Sequence, residues 1–204
     1  MTRKRLTWGV IILTVILIAA DQILKIWVKT HMPLTESITV FANWFQLRFV
    51  ENNGAAFGMQ LSTGDGFDWG KLLLSLFRLG MIGALIWYIR YLVKQNAPVK
   101  IILPMVMILA GAVGNMIDSC FYGLIFSEST FTTPAHFGGH YAGFMMGRVV
   151  DMFYFPLFQW NSVPRFLSFL VDSDNYFFGA IFNLADAYIS VAVVLLAFNW
   201  KYFK

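Results

Sequence analysis

Residues 101–121 read IILPMVMILAGAVGNMIDSCF, an apolar run that nevertheless carries Asn115 and Asp118. About 20 apolar residues in a helix match the hydrocarbon thickness of a bilayer. An ionised Asp at the centre of such a helix costs at least about 2.5–3.5 kcal/mol, so its presence asks for a reason in packing or in chemistry. Outward along the chain, residues 8–28, 71–91 and 177–200 have similar length and apolar character. The last of these repeats the polar motif, with Asn183-x-x-Asp186 echoing Asn115-x-x-Asp118. Each is an i,i+3 pair that a helix sets on one face. The first block holds an i,i+4 pair, Asp21 with Lys25.

Composition agrees with a bilayer as solvent. The 204 residues are 58% hydrophobic and 13% charged, with a mean hydropathy of +0.65, whereas a soluble domain carries about 25% charged residues. We expect a single integral membrane domain over residues 1–204, mainly α-helical, with four spans. Thr2-Arg3-Lys4-Arg5 followed by apolar residues resembles a cleavable leader. The apolar pattern resumes past Asp21 at Ile23, Leu24, Ile26, Trp27 and Val28, so a retained first span is the better reading. The net charge of +4 does not indicate nucleic acid, because the basic residues sit at the termini and between apolar blocks. One cysteine, Cys120, excludes an internal disulfide.

Four spans place both termini on one side. The basic residues Arg3, Lys4, Arg5, Arg90, Lys94, Lys100, Lys201 and Lys204 all fall there, which makes that side the cytoplasm. The connections 29–70 and 122–176 then face outward, and both are too long to be simple turns. Phe45, Leu47 and Phe49 alternate with Gln46, Arg48 and Val50, the period of a half-buried strand, predicting a small sheet on the outer face. The aromatic segment 151–160 suits an interface. At 1.5 Å per residue, Asp21, Asp118 and Asp186 lie roughly 10, 5 and 14 Å from the outer ends of their spans.

Several acids in one half of a bundle have two readings. As packing groups, Asn and Asp hydrogen-bond across helices. As chemistry, two carboxyls brought close share one proton, the state in which one acts as general base toward water and the other as acid. Spacing leaves the partners open among Asp21, Asp118, Asp151 and Asp186, although the repeated motif pairs Asp118 with Asp186. Asp21 with Lys25 reads as an orienting ion pair, and Arg78 as a snorkelling or bundle-facing residue. Asp151 lies in the apolar run Val149-Val150-Asp151-Met152-Phe153, where a re-entrant or interfacial segment would carry it over the bundle. His136 and His140 are separated by Gly138 and Gly139, which argue against a helical zinc pair; no metal and no cofactor is expected.

At these positions the chain resembles the lipoprotein signal peptidases, or signal peptidase II. Five stretches match in order: Asp21-Gln22-x-x-Lys25, Asn52-Asn53-Gly54-Ala55-Ala56-Phe57, Gly111-Ala112-Val113-Gly114-Asn115-x-x-Asp118, Val149-Val150-Asp151 and Phe182-Asn183-Leu184-Ala185-Asp186. The resemblance implies an aspartyl endopeptidase of the bacterial cytoplasmic membrane, working as a monomer. It would cleave lipid-modified prolipoproteins before the diacylglyceryl cysteine. It implies Asp151 and Asp186 as catalytic residues, supported by Asp21, Lys25, Asn52, Gly54, Asn115, Asp118, Asn183 and Ala185. It also implies a β-cradle and an interfacial helix over the site. Two features depart from the family: Ser119 stands where an arginine is usual, and residues 121–147 form an insertion carrying Glu128, His136 and His140. The alternatives are a small proton-coupled transporter, which would favour inverted repeats and a midplane site, and a noncatalytic scaffold.

Overall fold

The structure is a computed structural model that describes residues 2–42, 44–53, 68–160, 162–164, 168, 171 and 175–202. Its helices are α1 (Arg3–His31), α2 (Trp69–Lys94), α3 (Val99–Ile117), the single turn α4 (Gly123–Ile125) and α5 (Leu184–Phe198). A π-helical turn, Asp118–Tyr122, joins α3 to α4. The strands are β1 (Ser37–Phe41), β2 (Phe45–Asn52), β3 (Val149–Tyr154) and β4 (Ile181–Phe182), in one antiparallel sheet ordered β1-β2-β3-β4.

Among the described residues, three helices are long and apolar enough to cross a membrane: Arg3–His31, Trp69–Lys94 and the continuous stretch Val99–Ile125. By aqueous rules α1 is inside out. Asp21, Lys25 and Lys29 are fully buried, while Ile23 is 69% exposed. Buried charge beneath an apolar exterior is the arrangement that lipid requires, since an unpaired charge cannot face hydrocarbon.

The fourth expected span differs. Its helix begins at Leu184 rather than at residue 177, and residues 181–182 belong to β4. Asn183 stops the strand and caps the helix: its side chain accepts from Asp186 N–H, and the Asp186 side chain accepts from Asn183 N–H. This reciprocal capping box satisfies two orphan donors of the first turn. At 15 residues, α5 is about 22 Å long, shorter than the roughly 30 Å hydrocarbon core.

The strand expected at Phe45–Phe49 forms the N-terminal part of β2. The re-entrant or interfacial segment expected around Asp151 is instead β3, paired with β2 through Glu51↔Val150 and Val50↔Asp151. Val149 to Met152 are all buried. A strand covered on both faces loses the alternation that marks a half-buried one, which is why it read as a plain apolar run. Among the described residues, the long connections hold no helix beyond a single turn, so the interfacial helix has no counterpart there.

Two cores result. One lies between helices, around Ile82, Ile89, Ile102, Val106, Leu109 and Met116. The other joins the sheet to the C-terminal end of α1, with Val150 and Met152 against Val28, Met32, Phe49 and Phe126. Asp151 alternates with Val150 and Met152 along β3, so it faces away from this second core.

Candidate active site

The first turn of α5 organises the site. Asn183, fully buried, donates from Nδ2 to Asp151 Oδ1 at 2.7 Å and lies 3.0 Å from Asn115 Oδ1. Its Oδ1 accepts from Asp186 N–H at 3.0 Å. Asn115 in α3 donates from Nδ2 to Asp186 Oδ1 at 2.8 Å. Two amides thus draw Asp151 from the sheet and Asp186 from α5 into one network. Asn52, at the end of β2, donates to the other Asp151 oxygen at 3.4 Å. Asp186 sits in the first helical turn. The roughly 14 Å of helix expected above it is replaced by strand and cap.

Beneath this network lies a brace. Lys25 Nζ is 2.9 Å from Asp21 Oδ2 and 2.8 Å from Asp118 Oδ2, with all three side chains excluded from solvent. It also donates to Asn115 Oδ1 at 2.8 Å, fixing the orientation in which that amide meets Asp186. Asp21 Oδ1 accepts from Ala185 N–H at 3.0 Å, anchoring α5 to α1. Asp118 Oδ2 accepts from Val150 N–H at 3.3 Å, anchoring the strand that bears Asp151. Removing either partner from a buried pair of this kind costs about 3–5 kcal/mol.

All the expected site residues within the described chain therefore share one network, whereas Gly54 lies outside the described residues. The pairing suggested by the repeated motif does not form. Asp118 turns to Lys25, and Asp151 and Asp186 meet through Asn183. Sequence reasoning quoted Gln22 but gave it no role. Its amide donates to Asp21 Oδ2, Gly114 O and Asp118 Oδ1, and its oxygen accepts from Tyr122 OH. The available signal was a polar amide beside Asp21 in an apolar helix.

Close helix approach makes these bonds reachable. A Cβ at Gly111 would run into Ala185 O, and one at Gly114 would stand 2.6 Å from Asp21 Oδ2. Small residues at such crossings let backbones approach within hydrogen-bonding range in a membrane bundle. Outside the bundle, Glu51 beside Asn52 binds Lys29, Ser129 and Arg148, and Arg148 reaches Glu128 at 3.2 Å. The insertion is thereby tied to β2 and α1.

Asp151 is the acid best placed to hold a proton. Burial, followed by the neighbouring Asp186 charge, pushes its carboxyl up to about 7, against the opposing hydrogen bonds from Asn183 and Asn52 and the charge of Lys25. Two carboxyls joined through one hydrogen-bond network, one of them titrating near neutrality, can take a proton from water and return one to a carbonyl or leaving nitrogen.

Fold and site together define a membrane-embedded protein built around a buried group of aspartates. Comparison with known proteins narrows this to a family. The model described as Signal peptidase (SPase) II matches residues 13–202. The chain is 44% identical over 198 residues to the lipoprotein signal peptidase of Porphyromonas gingivalis, covering 95% of this chain and 84% of that protein. It is 32% identical over 205 residues to the Amoebophilus asiaticus lipoprotein signal peptidase, covering 98% and 79%. A solved structure described as a bacterial membrane enzyme superposes with a TM-score of 0.61 at 21% identity, over 94% of this chain and 92% of that one, showing the shared fold. The chain belongs to the signal peptidase II family, a family of proteases. The transporter alternative is overturned by that membership.

Proposed function

We propose that this chain removes signal peptides from lipid-modified prolipoproteins, cleaving before the diacylglyceryl cysteine, with Asp151 and Asp186 as the catalytic pair. The observation that carries this reading is the link through Asn183, whose Nδ2 binds Asp151 while its Oδ1 and N–H engage Asp186. One carboxylate takes a proton from a water molecule. The water oxygen adds to the scissile carbonyl carbon, the protonated partner donates to the carbonyl oxygen, and collapse passes a proton to the departing nitrogen. No covalent intermediate is required. The other site residues hold the pair: Asn52, Asn115 and Asn183 by direct bonds, and Asp21, Lys25, Asp118 and the Ala185 N–H through the brace.

In this reading α5 is the fourth span, both termini lie in the cytoplasm, and the sheet rests on the outer face of a bacterial cytoplasmic membrane. A substrate with an apolar signal helix and a lipidated cysteine then lies alongside with its scissile bond at the outer boundary. The enzyme works as a monomer, since one chain supplies both acids.

The test is purified protein in detergent with a lipidated prolipoprotein peptide, comparing wild type, Asp151→Asn and Asp186→Asn. Each variant is expected to lose about 10²–10⁴-fold in kcat, the usual contribution of general acid–base catalysis, while remaining folded. Retained turnover in both variants would leave a scaffold role for these acids and overturn the assignment.

A further inference from the structure

We infer that the groove between α1 and α2, at the end of the bundle where α1 begins and α2 ends, binds one anionic diacyl phospholipid, with its phosphate held by Arg3, Arg90 and Lys94.

Both α1 and α2 pack on α3 and touch each other far less. The gap left between them is a cavity of about 610 Å³, within the usual range for small-molecule sites. Leu109 of α3 closes it from behind, and Val10 and Ile11 of α1 face Ile86 and Ile89 of α2 across it. Ile11 and Ile86 are 46% and 43% exposed, so the groove opens to the exterior of the bundle. Ile86, Arg90 and Lys94 also line a second cavity of about 390 Å³, together with Trp87 and Tyr91. At i,i+4 spacing these three residues form one ridge, with Ile89 and Val93 on one flank and Trp87 and Tyr91 on the other. A ridge with a groove on each side suits a ligand with two chains.

Polarity is graded along the groove. Arg3 lies seven residues, about 10 Å, before Val10, and Arg90 lies about 6 Å beyond Ile86, so the charges gather at one end and the apolar walls at the other. That is the shape of an amphiphile. Thr7 and Thr14 also line the cavity, but their hydroxyls donate back to Arg3 O at 3.0 Å and Val10 O at 2.8 Å. Headgroup recognition therefore falls to the three cations. No ion pair among the described residues involves Arg3, Arg90 or Lys94, and segments 1–20, 69–117 and 187–204 contain no Asp or Glu. The counter-charge must come from outside the chain, and basic pockets between membrane helices take it from acidic lipid headgroups. In the orientation proposed above, a signal peptide would bring its own basic start to this same end, so charge favours lipid over substrate.

The experiment titrates the full chain in detergent with phosphatidylglycerol or with phosphatidylcholine of the same chains and counts bound lipid by native mass spectrometry. Wild type is expected to take up one phosphatidylglycerol in preference to phosphatidylcholine. Arg90→Gln/Lys94→Gln is expected to weaken that binding roughly 20–30-fold, about 5-fold for each cation near a charged headgroup. Lys4→Gln/Arg5→Gln removes equal charge from the same end without touching either cavity and is expected to leave the affinity unchanged. An equal loss in this pair would mean diffuse surface attraction and overturn the inference. So would equal affinity for the two lipids, displacement by inorganic phosphate at matched concentration, or displacement by the lipidated prolipoprotein peptide, which would make the groove a substrate site. If Arg90→Gln/Lys94→Gln does not fold, Ile86→Trp decides, since it fills the groove from an exposed position: weakened lipid binding supports the inference and unchanged binding overturns it.

Discussion

Opposing influences meet at Asp151. Burial and the Asp186 charge favour its protonated form, while hydrogen bonds from Asn183 and Asn52 favour the carboxylate. The proposed chemistry needs one proton on the pair, so kcat/KM is expected to fall on the alkaline side as that proton leaves, with a midpoint near 7. Asn52→Ala removes one of the groups that lower the Asp151 value. Its alkaline limb is therefore expected to move upward, by roughly half a pH unit for a long hydrogen bond. A pH–rate profile checks this, and a limb that stays put or moves down contradicts the role given to Asn52. Residue identity at the site was largely legible, because charged and amide side chains stand out in apolar blocks. Partner choice was not. Asp118 and Asp151 are both acids near apolar sequence, and only tertiary placement gives Lys25 to the first and Asn183 to the second.

Between elements, the informative case is the repeated Asn-x-x-Asp motif, whose two copies are physically different. Asn115 lies inside α3, and Asp118 begins the π turn that follows. Asn183 precedes α5 and Asp186 closes its capping box. Hydropathy could not tell them apart, since the apolar residues before Asn183 suit strand and helix equally. A cap signature was present in Asn183 and Asp186 but was read only as a helical face. The α3–α5 crossing yields its own prediction. Gly111→Ala places a methyl against Ala185 O, so the helices must separate and the Ala185 N–H to Asp21 bond must stretch. Overpacking of this kind costs about 1–3 kcal/mol, to be read as a lowered unfolding temperature in detergent together with reduced turnover. Gly83→Ala, where a Cβ meets nothing within 4 Å, serves as the control that leaves both unchanged.

For the molecule as a whole, charge distribution sets the proposed orientation and burial sets the means of testing it. Cys120 is 6% exposed, so Cys120→Ser provides a background for single reporter cysteines. Asn96 in the α2–α3 connection and Thr132 in the insertion are both exposed. With a membrane-impermeant thiol reagent, Thr132→Cys is expected to label in intact spheroplasts and Asn96→Cys only after lysis. The reverse pattern would invert the topology and move the sheet to the cytoplasm. Three of the four expected spans were legible as long apolar helices because bilayer thickness imposes length directly. The sheet was legible only at β2, where Phe45, Leu47 and Phe49 alternate with Gln46, Arg48 and Val50 and leave a period of two in the sequence.

Asn183 is at once the cap of α5, a donor to Asp151 and a neighbour of Asn115. Since α5 follows α1, α2, α3 and all four strands in the chain, it is synthesised and inserted after them. Until its first turn winds, Asp186 has no fixed position, Asp151 lacks its short hydrogen bond and Asp21 has no Ala185 N–H to receive. A nascent chain that has delivered α1, α2, α3 and the sheet is therefore inert toward peptides around it. On the proposed function, proteolytic competence arrives with completion of the fold, and biogenesis itself keeps a half-made protease from cutting its neighbours.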